Sequence, residues 1–107
     1  MTGEMNHDDM MEFAEANGMF KLVTRIKRAT GKSAEVQPFD MYQGAYVLVD
    51  NNVKIWVSDL GPDFWFVEYR TKEHAGYTVG DKKLMFVLKK VLRRDFKGIE
   101  QFLQEYT

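Results

Sequence analysis

Ala45 to Tyr69 reads AYVLVDNNVKIWVSDLGPDFWFVEY, and the stretch holds both tryptophans and the densest run of strand-forming residues in the chain. Two β-rich runs flank Asn51-Asn52, and a third follows Leu60-Gly61-Pro62-Asp63. Asparagine tolerates positive φ, so Asn51-Asn52 suits a two-residue hairpin turn. That turn sets Leu48 opposite Ile55 and Val47 opposite Trp56. A four-residue loop from Leu60 to Asp63 then sets Val57 opposite Phe66 and Trp56 opposite Val67.

Opposed residues share a face of a sheet. This pairing gathers Tyr46, Leu48, Ile55, Val57, Phe64 and Phe66 on one side. Val47, Val49, Trp56, Trp65, Val67 and Tyr69 fall on the other. Both sides are then largely apolar, whereas a half-solvated antiparallel sheet alternates apolar with polar. Two readings follow: helices cover both sides, or one side is an aromatic platform that binds something. Helical segments before and after the sheet favour coverage, since large apolar patches are uncommon on monomers.

The chain's 107 residues allow one domain, 1–107, with a real core. Hydrophobic residues make up 45% and the net charge is −1, a composition that folds and is unlike a charged tail. The longest apolar runs, such as Leu84 to Leu88, fall far short of the ~20 residues of a membrane span. No secretion signal, cysteine or lipidation motif is present, and a cytoplasmic setting fits.

In chain order, Asn6 or Asp8 is available to cap a first helix through Met10, Met11, Phe13 and Ala14 to Asn17, with Gly18 as its stop. Asp8, Asp9 and Glu12 near its start complement the positive end of the helix dipole. The alternative for His7, Asp8 and Asp9, a metal site, would need adjacent ligands on a chain end, which are poorly preorganised. Met19 to Thr30 fits a helix better than a strand, with Phe20, Leu22, Val23 and Ile26 on one side and Gly31 as a stop. Ala34 to Tyr42, interrupted by Pro38, reads as an edge strand or a connector. Gly76 to Val79 supplies a fourth short strand. Asp81 then caps an amphipathic helix through Arg94, and Gly98 separates it from a last helix, Ile99 to Tyr106. The fold expected is α+β: a three- to four-stranded antiparallel sheet, N-terminal helical segments and a C-terminal basic amphipathic helix.

The near-zero net charge hides a segregation. Residues 1 to 18 hold five acids and no lysine or arginine, and 19 to 32 hold five bases and no acid. Residues 33 to 80 carry a net −4 and 81 to 97 a net +5. On the C-terminal helix Lys82, Lys83, Lys89, Lys90, Arg93 and Arg94 lie opposite the stripe of Leu84, Val87, Leu88, Val91 and Leu92, with Phe86 among the cations. Such a face is either solvated, its charges complemented by the acidic N-terminal helix or another copy and Phe86 covered by a neighbouring element, or it is a surface for an anionic partner with Phe86 as anchor.

No catalytic, cofactor or metal-ligating pattern stands out. Ser33 and Ser58 lie in no nucleophile motif, His74 falls in a hairpin loop, and Gly76 and Gly80 lack the spacing of a phosphate loop. Asp59, Asp63 and Glu68 match ordinary turn chemistry. The sequence therefore points to a small non-enzymatic protein-interaction module or inhibitor, of a character shared with accessory proteins of mobile elements and phages. Its partner is expected to be another protein, bound by Lys82, Lys83, Phe86, Lys89, Lys90, Arg93 and Arg94, with Trp56, Trp65 and Tyr69 as a second surface. Nucleic-acid binding through the basic helix is the alternative, weakened by the acidic sheet and the absence of a basic surplus. An enzyme with an unrecognised site ranks last. No membrane partner is expected, and the oligomeric state is open.

Overall fold

Two glycines divide the N-terminal segment. Gly18 and Gly31 take φ of 69° and 70°, a left-handed conformation that ends helices cheaply only at glycine. They delimit helices α1 (His7–Ala16) and α2 (Met19–Thr30). The computed structural model describes residues 7–39, 44–58, 60, 63–69 and 76–105. Asn6, Asp59, His74 and Tyr106, singled out above, lie outside them. Because α1 begins at His7, Asp8 sits within its first turn and is no cap.

Five strands follow: β1 (Ala34–Phe39), β2 (Gly44–Val49), β3 (Val53–Val57), β4 (Phe64–Tyr69) and β5 (Tyr77–Gly80). They pair antiparallel in chain order. The protein is thus α+β as expected, with one strand more than the three or four anticipated. The added strand is β1, which pairs along its whole length with β2 despite Pro38. On an edge, the N–H that proline lacks need not serve a second neighbour.

The register differs from the expected one at two places, and the differences have one origin. Asp50 and Asn51 both take positive φ, 52° and 58°, and Asn52 donates its N–H to the Val49 carbonyl at 3.0 Å. Val49 therefore pairs with Val53, and the loop uses three residues rather than two. The next loop is also one residue longer, with Ser58 donating its N–H to the Phe64 carbonyl at 3.0 Å. Trp56 then faces Phe66, and Val57 faces Trp65. Each slip of one residue exchanges the faces of a strand. The two slips cancel for β4, so β3 alone is inverted relative to the expected arrangement.

With β3 turned over, the sheet sorts itself. Ala34, Ala45, Val47, Val49, Val53, Ile55, Trp65, Val67, Tyr69 and Val79 enter one buried cluster. Ala14 of α1, Met19, Leu22 and Ile26 of α2, and Leu84, Val87, Leu88 and Val91 of α3 (Asp81–Leu92) complete it. So does Ile99 of α4 (Phe96–Glu105). Among the described residues all four helices feed this one core, on one face of the sheet, and helical coverage of both faces is not seen there. Among the described residues no helix is long and apolar enough to cross a membrane.

The C-terminal helices also depart from expectation. The position before α3 is Gly80, with no side-chain cap. The carboxylate of Asp81 instead accepts hydrogen bonds from Arg25 Nη1 at 2.9 Å and Trp65 Nε1 at 3.0 Å. The break between α3 and α4 falls at Arg94, whose φ is 59°, and not at Gly98. Asp95 starts α4: its Oδ1 accepts the Gly98 N–H at 3.0 Å and its carbonyl accepts the Ile99 N–H at 3.2 Å. A Cβ on Gly98 would lie 2.3 Å from Asp95 Oδ2, so this glycine makes room for the cap.

Candidate interaction surfaces

The face of the sheet turned away from the helices carries an aromatic row, built one residue per strand. Tyr46 of β2, Trp56 of β3 and Phe66 of β4 lie side by side. Ring centroids are 5.7 Å apart for Tyr46 and Trp56, inclined at 62°, and 6.0 Å apart for Trp56 and Phe66, inclined at 43°. These are favourable separations for edge-on and tilted aromatic pairs. None of the three belongs to the buried core or to the apolar side chains packed on it.

Two glycines of the β5 side set the position of the phenylalanines. A Cβ on Gly76 would fall 2.2 Å from Phe66 Cζ, so the ring lies directly against backbone there. Phe64 runs toward Gly80, where a Cβ would sit 3.9 Å from its ring. Glycine beside an aromatic on a neighbouring strand lets the ring cover the gap that the missing side chain leaves. Phe64 remains 39% exposed, and Leu60 beyond it is more exposed still.

Charges frame the rings. The row Glu35, Leu48, Lys54 and Glu68 runs beside the aromatic one, on the same face. Lys54 Nζ lies 5.1 Å from the centroid of Tyr46 and 6.0 Å from that of Trp56, within cation–π range. Glu35 is exposed and Glu68 half-buried, so the rim is predominantly acidic.

The second surface expected from sequence, Trp56 with Trp65 and Tyr69, is split by the register. Trp65 and Tyr69 face the core, 4% and 6% exposed, while Trp56 lies on the opposite side. The VKIWV pattern of β3 held a signal for this. Val53, Ile55 and Val57 alternate with Lys54 and Trp56, the pattern of a half-solvated strand, and a lysine is seldom placed in a core.

On α3 the cations gather around Phe86, and the helix neighbours divide them. Phe86, 47% exposed, stacks on Phe102 of α4 with centroids 4.1 Å apart at 29°. Lys90 Nζ lies 4.9 Å from the Phe86 centroid and 3.3 Å from Asp95 Oδ2. Gly98 and Lys90 both donate to Asp95 and hold its carboxyl below the usual aspartate range, the Gly98 backbone contributing most. Arg94 Nε donates to the Tyr69 hydroxyl at 2.8 Å, which turns it toward the core's edge. Lys82, Lys89 and Arg93 remain exposed, and Lys83 is half-buried. Between α3 and α4 a depression of about 370 Å³ is lined by Phe86, Lys90, Asp95, Lys97, Gly98, Gln101 and Phe102. The basic set thus occupies α3 and its immediate end, with Lys90 and Arg94 engaged in tying that helix to its surroundings.

No protein-family model, curated protein or solved structure matches this chain.

Proposed function

We propose that this protein is a non-enzymatic interaction module, an inhibitor or adaptor, that binds a partner protein through the sheet face opposite its helices. The carrying observation is the Tyr46, Trp56 and Phe66 row, three aromatic rings on a rigid sheet outside the helix-covered core. Tyrosine and tryptophan held on strands offer large contact area with little entropy left to lose on binding. The acidic rim of Glu35 and Glu68 selects a partner with an apolar centre and basic surroundings. The same rim repels phosphates, which disfavours nucleic acid at this site.

Affinity capture from the native cell, with nuclease treatment and mass spectrometry, tests the reading when parent and Trp56→Ser proteins are compared. A nuclease-resistant protein retained by the parent and lost by Trp56→Ser is the expected result. Equal capture by both proteins overturns it. In a Trp65→Phe background, Trp56 is the sole tryptophan, and its emission should shift to shorter wavelength when the captured partner is added.

A further inference from the structure

We propose that a second copy of this chain docks on the first, with the acidic outer face of α1 laid against the basic outer face of α3. The two helices present matched stripes. On α1 the exposed residues Asp8, Met11, Glu12 and Glu15 recur three and four positions apart and so fall on one face. Ala14 is buried and Met10 and Phe13 pack on the core, which fixes that face outward. On α3 and its immediate end, exposed Lys82, Phe86, Lys89 and Arg93 follow the same spacing, opposite buried Leu84, Val87, Leu88 and Val91.

Each stripe holds one large apolar side chain among its charges. Met11 is 39% exposed and Phe86 47%, and both are among the exposed large hydrophobic residues of the described structure. A thioether against an aromatic ring is a favourable contact. Phe86 is held for it, stacked on Phe102 with Lys90 over its ring. Exposed ion pairs alone bring little stability and are screened by salt, so a matched apolar centre is what distinguishes a docking face from a merely charged one.

One chain does not close this pairing within itself. Helix α1 packs on β1 and β2 and α3 on β4 and β5, toward opposite edges of a sheet whose strands follow chain order. The complement of each stripe is therefore found on another copy. Two copies that exchange both contacts form a closed pair, and copies that exchange one contact each form a chain.

Charge reversal tests the proposal by sedimentation velocity and light scattering. The parent should associate at low salt and dissociate as salt rises. In a Glu12→Lys, Glu15→Lys protein both stripes carry net positive charge, and in a Lys89→Glu, Arg93→Glu protein both carry net negative charge, so each should be monomeric alone. An equimolar mixture of the two should associate, since every contact is again between opposite charges. A chain carrying all four reversals should associate with itself. Met11→Ala and Phe86→Ala should weaken the parent's association at least tenfold while leaving its salt dependence unchanged. Circular dichroism checks the fold, and Gln replacements at the same four positions serve where a reversed chain does not fold. A parent that stays monomeric at low salt and millimolar concentration overturns the proposal. So does a mixture of folded reversed proteins that remains monomeric.

Discussion

Trp65 donates its indole N–H to Asp81 Oδ1 at 3.0 Å, and the same oxygen accepts Arg25 Nη1 at 2.9 Å. One carboxylate thus joins the central part of the sheet, the start of α3 and the exposed side of α2. It also satisfies the polar atom of a ring that is otherwise core. The position at which sequence suggested a helix cap is used for tertiary fastening.

The Arg25 hydrogen bond holds the Asp81 carboxyl below its ordinary value, with burial opposing and the Trp65 hydrogen bond assisting. A depressed folded-state value means that this stabilisation is fully present above the unfolded value, near pH ~4. It is lost as pH falls through the lower folded one. Both side chains of the ion pair are more than a third exposed, so solvent keeps the effect small. Asp81→Asn should lower the melting temperature at neutral pH, and the gap to the parent should close below pH ~4. A gap that persists unchanged in acid would show that the charge contributes nothing.

The two tryptophans should separate cleanly in denaturant titrations. Trp65→Ala empties a core position and is expected to cost ~3–5 kcal/mol. Trp56→Ala removes the two aromatic contacts with Tyr46 and Phe66, each worth ~0.5–1.5 kcal/mol, and should cost about 1–3 kcal/mol. The reverse ranking would mean that β3 faces the other way.

Asn51 occupies the left-handed region at φ 58°. Asn51→Val places a β-branched side chain where the backbone strains it, and should cost ~1–2 kcal/mol. Asn51→Gly should leave stability equal or raise it, because glycine favours this turn position. Equal melting of the Val and Gly variants would argue against a positive φ in the turn.

Gly98 lies inside α4, where alanine is ordinarily the better helix former. Gly98→Ala should nonetheless lower the melting temperature, because the methyl group would displace the Asp95 carboxylate from the Gly98 N–H and from Lys90. Asp95→Ala should lower it as well. The double variant should melt close to the worse of the two single ones, since both remove the same interaction. Additive losses would mean that Gly98 acts independently of the cap.

Much of this architecture was legible in the sequence. The stops at Gly18 and Gly31, the three central strands and the apolar stripe of α3 follow from local chemistry that the fold leaves in force. What failed was counting. A turn taken as Asn51-Asn52 also enlists Asp50, and a loop taken as four residues uses five. Period-2 side chains convert each such miscount into a change of face. The aromatic row is hidden in the sequence for that reason alone, since the shorter loops leave Tyr46 and Phe66 on one side and turn only Trp56 to the other. The roles of Asp81 and Gly98 were hidden differently. A cap is a local inference, whereas Arg25 and Trp65 reach Asp81 from elements distant in sequence, and Asp95 claims the helix start before Gly98 can end anything.

Because β2, β3 and β4 send alternate residues to a helix-packed core and to the opposite face, stability and the proposed recognition are interleaved one residue at a time along the same strands. A substitution at Tyr46, Trp56 or Phe66 changes the chemistry of the outer face while Val47, Ile55 and Val67 keep the fold above its stability threshold. Such a division lets the outer face drift quickly in evolution while the scaffold changes slowly. A lineage under pressure to follow a changing partner could replace its contact residues and still pack the same core.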